Sequence, residues 1–213
     1  VRSRRQRQMC IRDRYMHDYN ISNDTLVKVA EKAFQNGSLN PNAWRKNIVP
    51  YKEIAESKMI SDPLRKYMFC SPAEGGAALI LTSETEVRKM GANAVFLEAT
   101  EMRTKNYGSF EVYDTCLAVN IKPTATSNAA KAAFESAGIG PDDIDVLQIQ
   151  DTEVGAEIMH LAENGFCKHG DQESLIQNGE TLISGKIPVN TDGGCIANGE
   201  PIGASGLRLS LIH

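Results

Sequence analysis

Apolar and polar positions along the chain predict helices and strands in alternation, and two of the helices are marked clearly at both ends. Over residues 22–37, apolar side chains recur at helical spacing, with polar capping residues before them and a glycine after them. Over residues 124–137 an alanine-rich helix is predicted, and a glycine ends it. Residues 83–90 and 153–164 predict shorter helices by the same criteria.

Three short apolar runs, at residues 77–81, 94–99 and 144–150, are predicted to be strands. An unbroken apolar run is typical of a strand that is covered on both faces. Residues 38–74, by contrast, are polar and contain four prolines, so we expect an irregular excursion there. Strands that alternate with helices indicate an α/β layered fold, with helices packed on a mixed sheet.

The composition is that of an ordinary folded protein, with 41% hydrophobic and 23% charged residues in 213. It excludes disordered, collagen-like and disulfide-scaffold classes. No run of about 18 consecutive apolar residues occurs, so no transmembrane helix is predicted. The five cysteines are odd in number and lack a C-x-x-C pair. We therefore expect reduced thiols in a cytoplasmic protein.

The two ends of the chain differ from the rest in charge and in coding pattern. Residues 1–14 contain six arginines and one acidic residue, which in a natural tail would indicate nucleic-acid binding or import. Codons ATG TGT ATA AGA GAC AGN encode residues 9–14, and the reverse complement of their fixed bases encodes Leu-Ser-Leu-Ile-His, the last five residues. We therefore expect residues 1–14 and 209–213 to be adapter-derived rather than native. A natural basic tail is the alternative.

The remaining residues, 15–208, are expected to be an internal fragment of a longer protein. The whole chain carries a net charge of −4, and the arm contributes +5, which leaves −9 for the remainder. An acidic body of this kind argues against nonspecific binding to nucleic acid or to an anionic membrane.

The first candidate for chemistry is Gln150-Asp151-Thr152-Glu153, which follows a predicted strand and opens a predicted helix. Open α/β sheets bind ligands at the carboxyl ends of their strands. The alternative is simple helix capping by Asp151 or Thr152, with Glu153 in the first turn. Gln150 is not explained by capping.

The second candidate is the glycine-rich passage at residues 193–206. Glu200 lies between Gly199 and Pro201, on a turn that would hold its carboxylate in one place. The alternative is a glycine-rich connection with an exposed glutamate. The passage lacks the spacing of a nucleotide-binding loop.

A metal site and a cysteine nucleophile are both disfavoured. His160, Cys167 and His169 lack a convincing fourth ligand, so no metal is expected. Cys195 has no histidine near it in sequence, and we interpret it as a core thiol.

Several short motifs in a fixed order extend the analysis beyond these two candidates. They are Tyr15-Met16-His17-Asp18-Tyr19, Leu39-Asn40-Pro41-Asn42-Ala43, Ser57-Lys58-Met59-Ile60-Ser61-Asp62-Pro63-Leu64, Gly75-Gly76-Ala77-Ala78-Leu79, Ala137-Gly138-Ile139 and the passage from Val189 to Gly206. In this order they resemble the second half of a thiolase-superfamily protein of the sterol-carrier-protein-x, or lipid-transfer, type.

The resemblance implies two similar βαβαβαββ halves and an inserted loop domain over coenzyme A. Residues 15–74 would be part of the loop domain, 75–93 the end of the N-terminal half, and 94–208 a truncated C-terminal half. The family's catalytic cysteines would both lie outside this chain, so the fragment itself is expected to be inactive.

The chain departs from the family at both candidate sites. Gln150 to Glu153 stand where relatives have His-Asp-Cys-Phe or Asn-Glu-Ala-Phe, and Gly199-Glu200-Pro201 stands where they have Gly-His-Pro. The resemblance therefore assigns catalytic positions to Gln150 and Glu200. The positions that it places next to substrate or coenzyme A are His17, Asp151, Gly199, Pro201 and Gly203.

The resulting expectation is an acyl-CoA C-acyltransferase that acts on fatty or sterol side-chain thioesters. Retro-aldol cleavage of a β-hydroxyacyl-CoA and a non-catalytic acyl-CoA-binding subunit are the alternatives. Coenzyme A enters as a thioester substrate, with no covalently bound cofactor. By resemblance, the full-length protein would be a homodimer or homotetramer, without nucleic-acid or membrane partners.

Overall fold

A computed structural model describes residues 13–91, 94–104 and 123–209 of the chain. Helix α1 covers residues 13–19 of the described part. The other helices are α2 (Asn23–Leu39), α3 (Tyr51–Glu56), α4 (Glu84–Met90), α5 (Ala125–Ala137), α6 (Val154–Glu163), α7 (Gln172–Gln177), α8 (Gly194–Asn198) and α9 (Ser205–Leu209). Short 3-10 turns lie at Lys66–Met68 and Pro141–Asp143. Most of the two predicted adapter-derived ends, residues 1–12 and 210–213, lies outside the described residues.

Helix α2 is the central element of the core. Its N-terminus is capped by Ser22, whose hydroxyl accepts a hydrogen bond from the backbone N–H of Thr25. Helices α3, α6, α7 and α8 pack around it. The buried apolar side chains of this core include Leu26, Val29, Ala33, Phe34, Ile54, Met68, Val154, Ile158, Leu161 and Ile196.

The predicted helices are confirmed with small shifts at their ends. Helix α2 extends two residues past the predicted Gly37, to Leu39. Thr124 caps α5 and Gly138 ends it with a φ of 70°. Helix α4 likewise begins after Ser83 and ends at Gly91 with a φ of 60°. Capping residues and positive-φ glycines therefore marked these boundaries correctly.

The mixed sheet that the sequence predicted is not formed among the described residues. Strands β1 (Met59–Ser61) and β2 (Leu64–Arg65) make a small antiparallel hairpin inside the predicted excursion. Isolated bridges join Phe69 to Glu153, Pro72 to Glu200 and Leu147 to Val189. The predicted strand at 144–150 is thus reduced to one bridge.

The predicted strands at 77–81 and 94–99 are wrong for the described part of the chain. Both segments lack a ladder partner there, and large apolar side chains in them face solvent. Ile80 is 94% exposed and Val95 is 98% exposed. An apolar run forms a strand only when a neighbouring strand satisfies its backbone groups, so the sequence pattern alone was insufficient.

A buried ion pair joins helices α2 and α6. Lys32 Nζ donates to Glu157 Oε1, and the two side chains are 2% and 0% exposed. Asn190 Nδ2 donates to the other carboxylate oxygen of Glu157 at 2.9 Å. Asn36 Nδ2 in turn donates to the carbonyl oxygen of Asn190 at 3.0 Å. The network is therefore closed across α2, α6 and the loop before α8.

Helix α2 also approaches α8 closely, through glycine. A Cβ added at Gly37 would lie 2.6 Å from Ala197 Cβ. Gly193, which precedes α8 with a φ of 102°, lies against the Gly37 backbone, and a Cβ added there would be 2.7 Å from Gly37 Cα. The residue at 37 is therefore limited by space rather than by helix propensity.

We predict that Lys32→Met destabilises the fold by about 3 kcal/mol or more, because it leaves the Glu157 carboxylate buried without its cation. Adding Glu157→Gln removes that charge and keeps an acceptor for Asn190, so the double variant should regain at least half of the loss. Urea unfolding measures both. Lys131→Met is the control, since its pair with Glu135 is 3.7 Å apart and exposed, and should cost below about 1 kcal/mol. Equal losses in the single and double variants would contradict this explanation.

We also predict that Gly37→Ala lowers the free energy of unfolding by about 1–3 kcal/mol, because the added methyl overlaps Ala197. On helix propensity alone the same change would be stabilising by about 1 kcal/mol. Gly76→Ala is the control, since no heavy atom lies within 4 Å of its added Cβ. A stabilised Gly37→Ala variant in urea would show that the two helices can separate without cost.

Candidate functional site

A parallel pairing brings the two sequence candidates to one edge of the fold. Leu147 N donates to Pro188 O, and Asn190 N donates to Leu147 O, both at 2.9 Å. The side-chain oxygen of Asn190 continues the pairing by accepting from Ile149 N at 2.9 Å. Asn190 adopts a φ of 51°, a conformation that asparagine tolerates better than most residues. Gln150 and the start of α8 therefore lie side by side.

Asp151 is fully buried and caps helix α8 across the site. Its carboxylate accepts from Cys195 N at 2.5 Å and from Ile196 N at 3.5 Å. A Cβ at Gly194, where φ is 59°, would lie 2.1 Å from this carboxylate. Burial raises the pKa of Asp151 well above its ordinary value, and the charge of Glu157 adds to the effect. Asp151 therefore has a structural role beside the site, and its carboxylate does not face solvent.

Capping occurs at this loop, although not as the sequence suggested. The N-cap of α6 is Glu153, whose Oε2 accepts from Gly155 N at 2.8 Å. Asp151 serves α8 instead, a helix that begins more than forty residues later in the sequence. A local pattern identifies a capping residue, but it does not identify which helix end the residue serves when two ends converge.

Residues 69–73 join the two candidate loops through backbone hydrogen bonds. Cys70 N donates to Thr152 O at 3.0 Å. Glu200 N donates to Ser71 O at 3.0 Å, and Ala73 N donates to Glu200 O at 3.4 Å. This segment lies in the predicted excursion, yet it holds the backbone of Glu200 through both the N–H and the carbonyl of that residue.

Gly199 permits the approach of this segment to the Glu200 loop. Its φ is 99°, and a Cβ there would lie 2.7 Å from Ala73 Cβ and 3.3 Å from Trp44 Cβ. A side chain at 199 would therefore push residues 69–73 away.

Gln150 and Glu200 are in direct contact. Gln150 Nε2 donates to Glu200 Oε1 at 3.3 Å, and Ser205 Oγ donates to the same oxygen at 2.6 Å. Glu200 is 7% exposed, whereas Gln150 is on the exposed side of the pair. Among the described residues, no N–H or O–H group donates to Glu200 Oε2. The pair thus combines an accessible amide with a buried carboxylate, whose Oε2 receives no N–H or O–H donor from this part of the chain and whose neighbours include the Cys195 thiol.

The cysteines near the pair are thiols of high pKa. Burial raises the pKa of Cys70 to about 11, and the charges of Glu200 and Asp151 add to that shift. Burial raises the pKa of Cys195 still more. The negative charge of Asp151 and the hydrogen bond and charge of Glu200 add to this shift. Cys195 Sγ accepts from Arg208 Nη2 at 3.3 Å and is fully buried. Both are therefore poor candidates for a nucleophilic thiolate. Cys10 and Cys116 lie outside the described residues.

The other predicted site residues are less closely tied to this pair. Pro201 is half-buried, and its carbonyl accepts from Ala204 N. Gly203 is exposed, with no heavy atom within 4 Å of an added Cβ. The side chain of His17 is 85% exposed on α1, and its hydrogen bond is to the adjacent Asp18 at 3.3 Å. The contacts of His17 are local, and its place next to coenzyme A stays a prediction.

The sequence pattern did not distinguish the residues that surround and hold Gln150 and Glu200. Ser205 was inside the glycine-rich passage but was not distinguished from its neighbours. Arg208 donates to Asp192 Oδ2 at 2.5 Å, and Asn198 donates to the same oxygen at 2.7 Å, which ties α8 to α9. The spacing of residues in the sequence could not reveal these contacts, because they depend on how α8 and α9 fold back on each other.

The described residues contain neither a metal-binding cluster nor a membrane-spanning helix. No group of three or more His, Cys, Asp or Glu side chains there is arranged to hold a metal ion. No helix in the same ranges has the length and apolar character needed to cross a membrane.

Comparison with known proteins gives the same family that the motifs suggested. Residues 110–211 match the family described as thiolase C-terminal domain-like. The chain is 33% identical over 195 residues to an acetyl-CoA acetyltransferase of Methanothermobacter thermautotrophicus and 31% identical over 195 residues to human sterol carrier protein 2. Each alignment covers 91% of this chain, but only 49% and 35% of those proteins.

A solved structure shares the fold. The structure titled "Ltp2-ChsH2(DUF35) aldolase" aligns with a TM-score of 0.76 at 18% identity, over 97% of this chain and 54% of that one. The chain therefore spans about half the length, or less, of the proteins that it resembles. The family match and the curated relatives agree with the motif order, so the chain is similar in sequence to thiolase-superfamily proteins, and the solved structure shows a shared fold.

Proposed function

We propose that the full-length protein catalyses thiolase-type acyl transfer on acyl-CoA thioesters whose acyl groups are fatty or sterol side chains. The observation that carries the proposal is the contact between Gln150 and Glu200. By the family resemblance, these residues stand at the two positions where relatives carry histidine or asparagine. The acetyltransferase and sterol-carrier names of the relatives support an acyl-CoA substrate.

Gln150 is suited to bind the thioester oxygen. Its amide nitrogen carries two protons, and one of them is used in the hydrogen bond to Glu200. The second proton is on the exposed side of the pair and is available to an oxygen that gains negative charge during reaction. A neutral donor at this position stabilises an oxyanion without needing to change protonation state.

Glu200 is suited to accept a proton, but not to stabilise an oxyanion. An ionised carboxylate has no hydrogen to donate, in contrast to the histidine of relatives. Its Oε2 is buried and receives no N–H or O–H donor from the described residues, so a substrate hydroxyl or thiol that reached it would supply the missing donor. A general base of this kind typically contributes about 10²–10⁴-fold to rate.

The acyl-transfer chemistry requires a nucleophile from outside this chain. A cysteine thiolate adds to the β-carbonyl of a 3-oxoacyl-CoA, and the Cα–Cβ bond breaks. The electron pair stays on the enolate of the shorter thioester, which takes up a proton. The thiol of free coenzyme A then receives the acyl group from the cysteine, and Glu200 Oε2 accepts the thiol proton.

Retro-aldol cleavage of a β-hydroxyacyl-CoA is the second candidate, and one observation favours it. A buried carboxylate oxygen with no donor fits the proton of a substrate hydroxyl. In this reaction the β-hydroxyl proton passes to Oε2, the Cα–Cβ bond breaks and the β-carbon becomes a carbonyl. The thioester enolate keeps the electron pair and takes up a proton. The aldolase title of the structural neighbour is consistent with this alternative, at a level of identity that concerns fold.

The organisation of the full-length protein follows the thiolase pattern in this proposal. Residues 15–74 belong to the cover of the coenzyme A site, 75–93 to the N-terminal half and 94–208 to the C-terminal half, with the mixed sheet completed outside the described residues. The protein is cytoplasmic and assembles as a homodimer or homotetramer. Residues 1–14 and 209–213 are adapter-derived.

The proposal predicts that Glu200→Gln in the full-length gene product lowers kcat by about 10²–10⁴-fold, because the amide cannot accept the substrate proton. The affinity for acyl-CoA should change by less than about threefold, since glutamine keeps the size of the side chain. Steady-state kinetics and calorimetric titration with acyl-CoA measure these two quantities.

Glu135→Gln, on the exposed face of α5, is the matched control and should retain full turnover. Unchanged kcat in Glu200→Gln would remove Glu200 from the mechanism. A wild-type protein that binds acyl-CoA but turns over neither an oxo nor a hydroxy substrate would be the non-catalytic subunit.

Thiol consumption separates the two reactions. With a 3-oxoacyl-CoA substrate, we expect one free coenzyme A thiol to disappear for each substrate cleaved, as followed with a thiol-reactive dye. A 3-hydroxyacyl-CoA supplied without free coenzyme A should remain intact. Cleavage of that hydroxy compound to a ketone or aldehyde, with no loss of thiol, would instead select the retro-aldol reaction.

A further inference from the structure

We propose that Ser205 is a positioning residue that fixes Glu200 through Oε1 and leaves Oε2 as the atom that accepts the substrate proton. The inference deepens the proposed function and rests on it. It assigns a task to a side chain of α9 that neither the sequence motifs nor the comparisons distinguish.

The distances show that the Ser205 hydroxyl donates to Glu200 rather than to Pro201. Its Oγ is 2.6 Å from Glu200 Oε1 and 3.4 Å from the carbonyl oxygen of Pro201. A hydroxyl has a single proton to donate. The carboxylate oxygen of Glu200 is both nearer and the stronger acceptor. Ser205 is itself 4% exposed, so water does not readily replace it.

The two oxygens of Glu200 are consequently unequal. Oε1 accepts hydrogen bonds from Ser205 Oγ at 2.6 Å and from Gln150 Nε2 at 3.3 Å, and these two bonds occupy both of its lone pairs. Oε2 is buried and has no N–H or O–H donor among the described residues. The Cys195 thiol also hydrogen-bonds to Glu200, but a thiol is a weak donor, so Oε2 stays the less satisfied of the two oxygens. The asymmetry therefore directs the incoming proton to Oε2.

The backbone on both sides of Glu200 leaves the side chain little freedom to exchange its oxygens. Ser71 and Ala73 hydrogen-bond to the N–H and carbonyl of Glu200. With the backbone held there and Oε1 held by α9, a rotation of the carboxylate would break the 2.6 Å contact. Ser205 thus keeps one oxygen aimed at the substrate through the reaction.

The proton step balances without any further reactant. The substrate bond to hydrogen, either S–H of coenzyme A or O–H of a β-hydroxyl, breaks as the proton moves to Oε2. The electron pair stays on the substrate sulfur or oxygen. The carboxylic acid that forms gives this proton to the thioester enolate, in the same turnover after retro-aldol cleavage and in the next turnover after thiolysis.

Several charged or titratable groups face the Glu200 carboxylate. Cys70 approaches from residues 69–73 and Cys195 from α8, and Asp151, in the loop before α6, acts on both of these thiols. Arg208 on α9 reaches Cys195 Sγ, and the charge of Arg45 acts on Cys70.

The test is the pH dependence of kcat in the full-length gene product. Ser205→Ala removes a donor from the ionised carboxylate, so the acidic limb of the profile should move about one pH unit upward. Ser205→Thr keeps the hydroxyl and should restore the wild-type limb to within about 0.3 units. KM should change less than kcat, because Ser205 does not touch the substrate.

A purely structural role for Ser205 would give a different result. Both variants would then lower the unfolding midpoint, and neither would move the acidic limb. If Ser205→Ala does not fold, Ser205→Cys keeps the side-chain size, donates far more weakly, and should move the limb in the same direction. An unmoved limb in a folded Ser205→Ala or Ser205→Cys variant overturns the proposal.

The Glu200→Gln experiment distinguishes this failure from failure of the proposed function. Loss of turnover in Glu200→Gln, together with an unmoved limb in Ser205→Ala, rejects the positioning role alone. Full turnover in Glu200→Gln rejects the base itself, and the role of Ser205 with it.

Discussion

The ion pair between Lys32 and Glu157 is the interaction on which the rest of the described structure depends. Both charges are withdrawn from water, so each is tolerated only because the other is present and because Asn190 supplies a further hydrogen bond. Asn190 is also the residue that pairs with the 147–149 segment. The same three side chains that join α2 to α6 therefore set the register of the loops that carry Gln150 and Glu200.

The candidate site is assembled from segments that are distant in sequence, and each contributes a different kind of constraint. The loop before α6 supplies the amide of Gln150, and the turn after α8 supplies the carboxylate of Glu200. Asp151 anchors the first turn of α8, and Gly194 gives it room to do so. A buried acceptor placed by so many fixed neighbours has a defined position before any substrate arrives, which is what a general base needs.

The parts of the fold that were predictable from sequence are those governed by local chemistry. Helices α2, α4, α5 and α6 followed from apolar spacing and from residues such as Ser22 and Gly138, because these signals act within one or two turns. The strands at 77–81 and 94–99 failed because a strand exists only through its partner, which the apolar run does not specify. For the site, Gln150 and Glu200 were proposed from their local settings, after a predicted strand and in a glycine-rich turn, and their catalytic roles, which come from the family resemblance, stay predictions. Ser205 and residues 69–73 were missed because their contacts arise from the return of α9 and of the excursion to the same loop.

Backbone bonding of residues 69–73 to both site loops has a mechanical consequence. Phe69 and Cys70 are attached beside Glu153 and Thr152, while Ser71 and Ala73 are attached around Glu200. A displacement of this five-residue strip cannot be absorbed by one loop alone, since it pulls on both together. The distance between the Gln150 amide and the Glu200 carboxylate therefore depends on the position of residues 69–73.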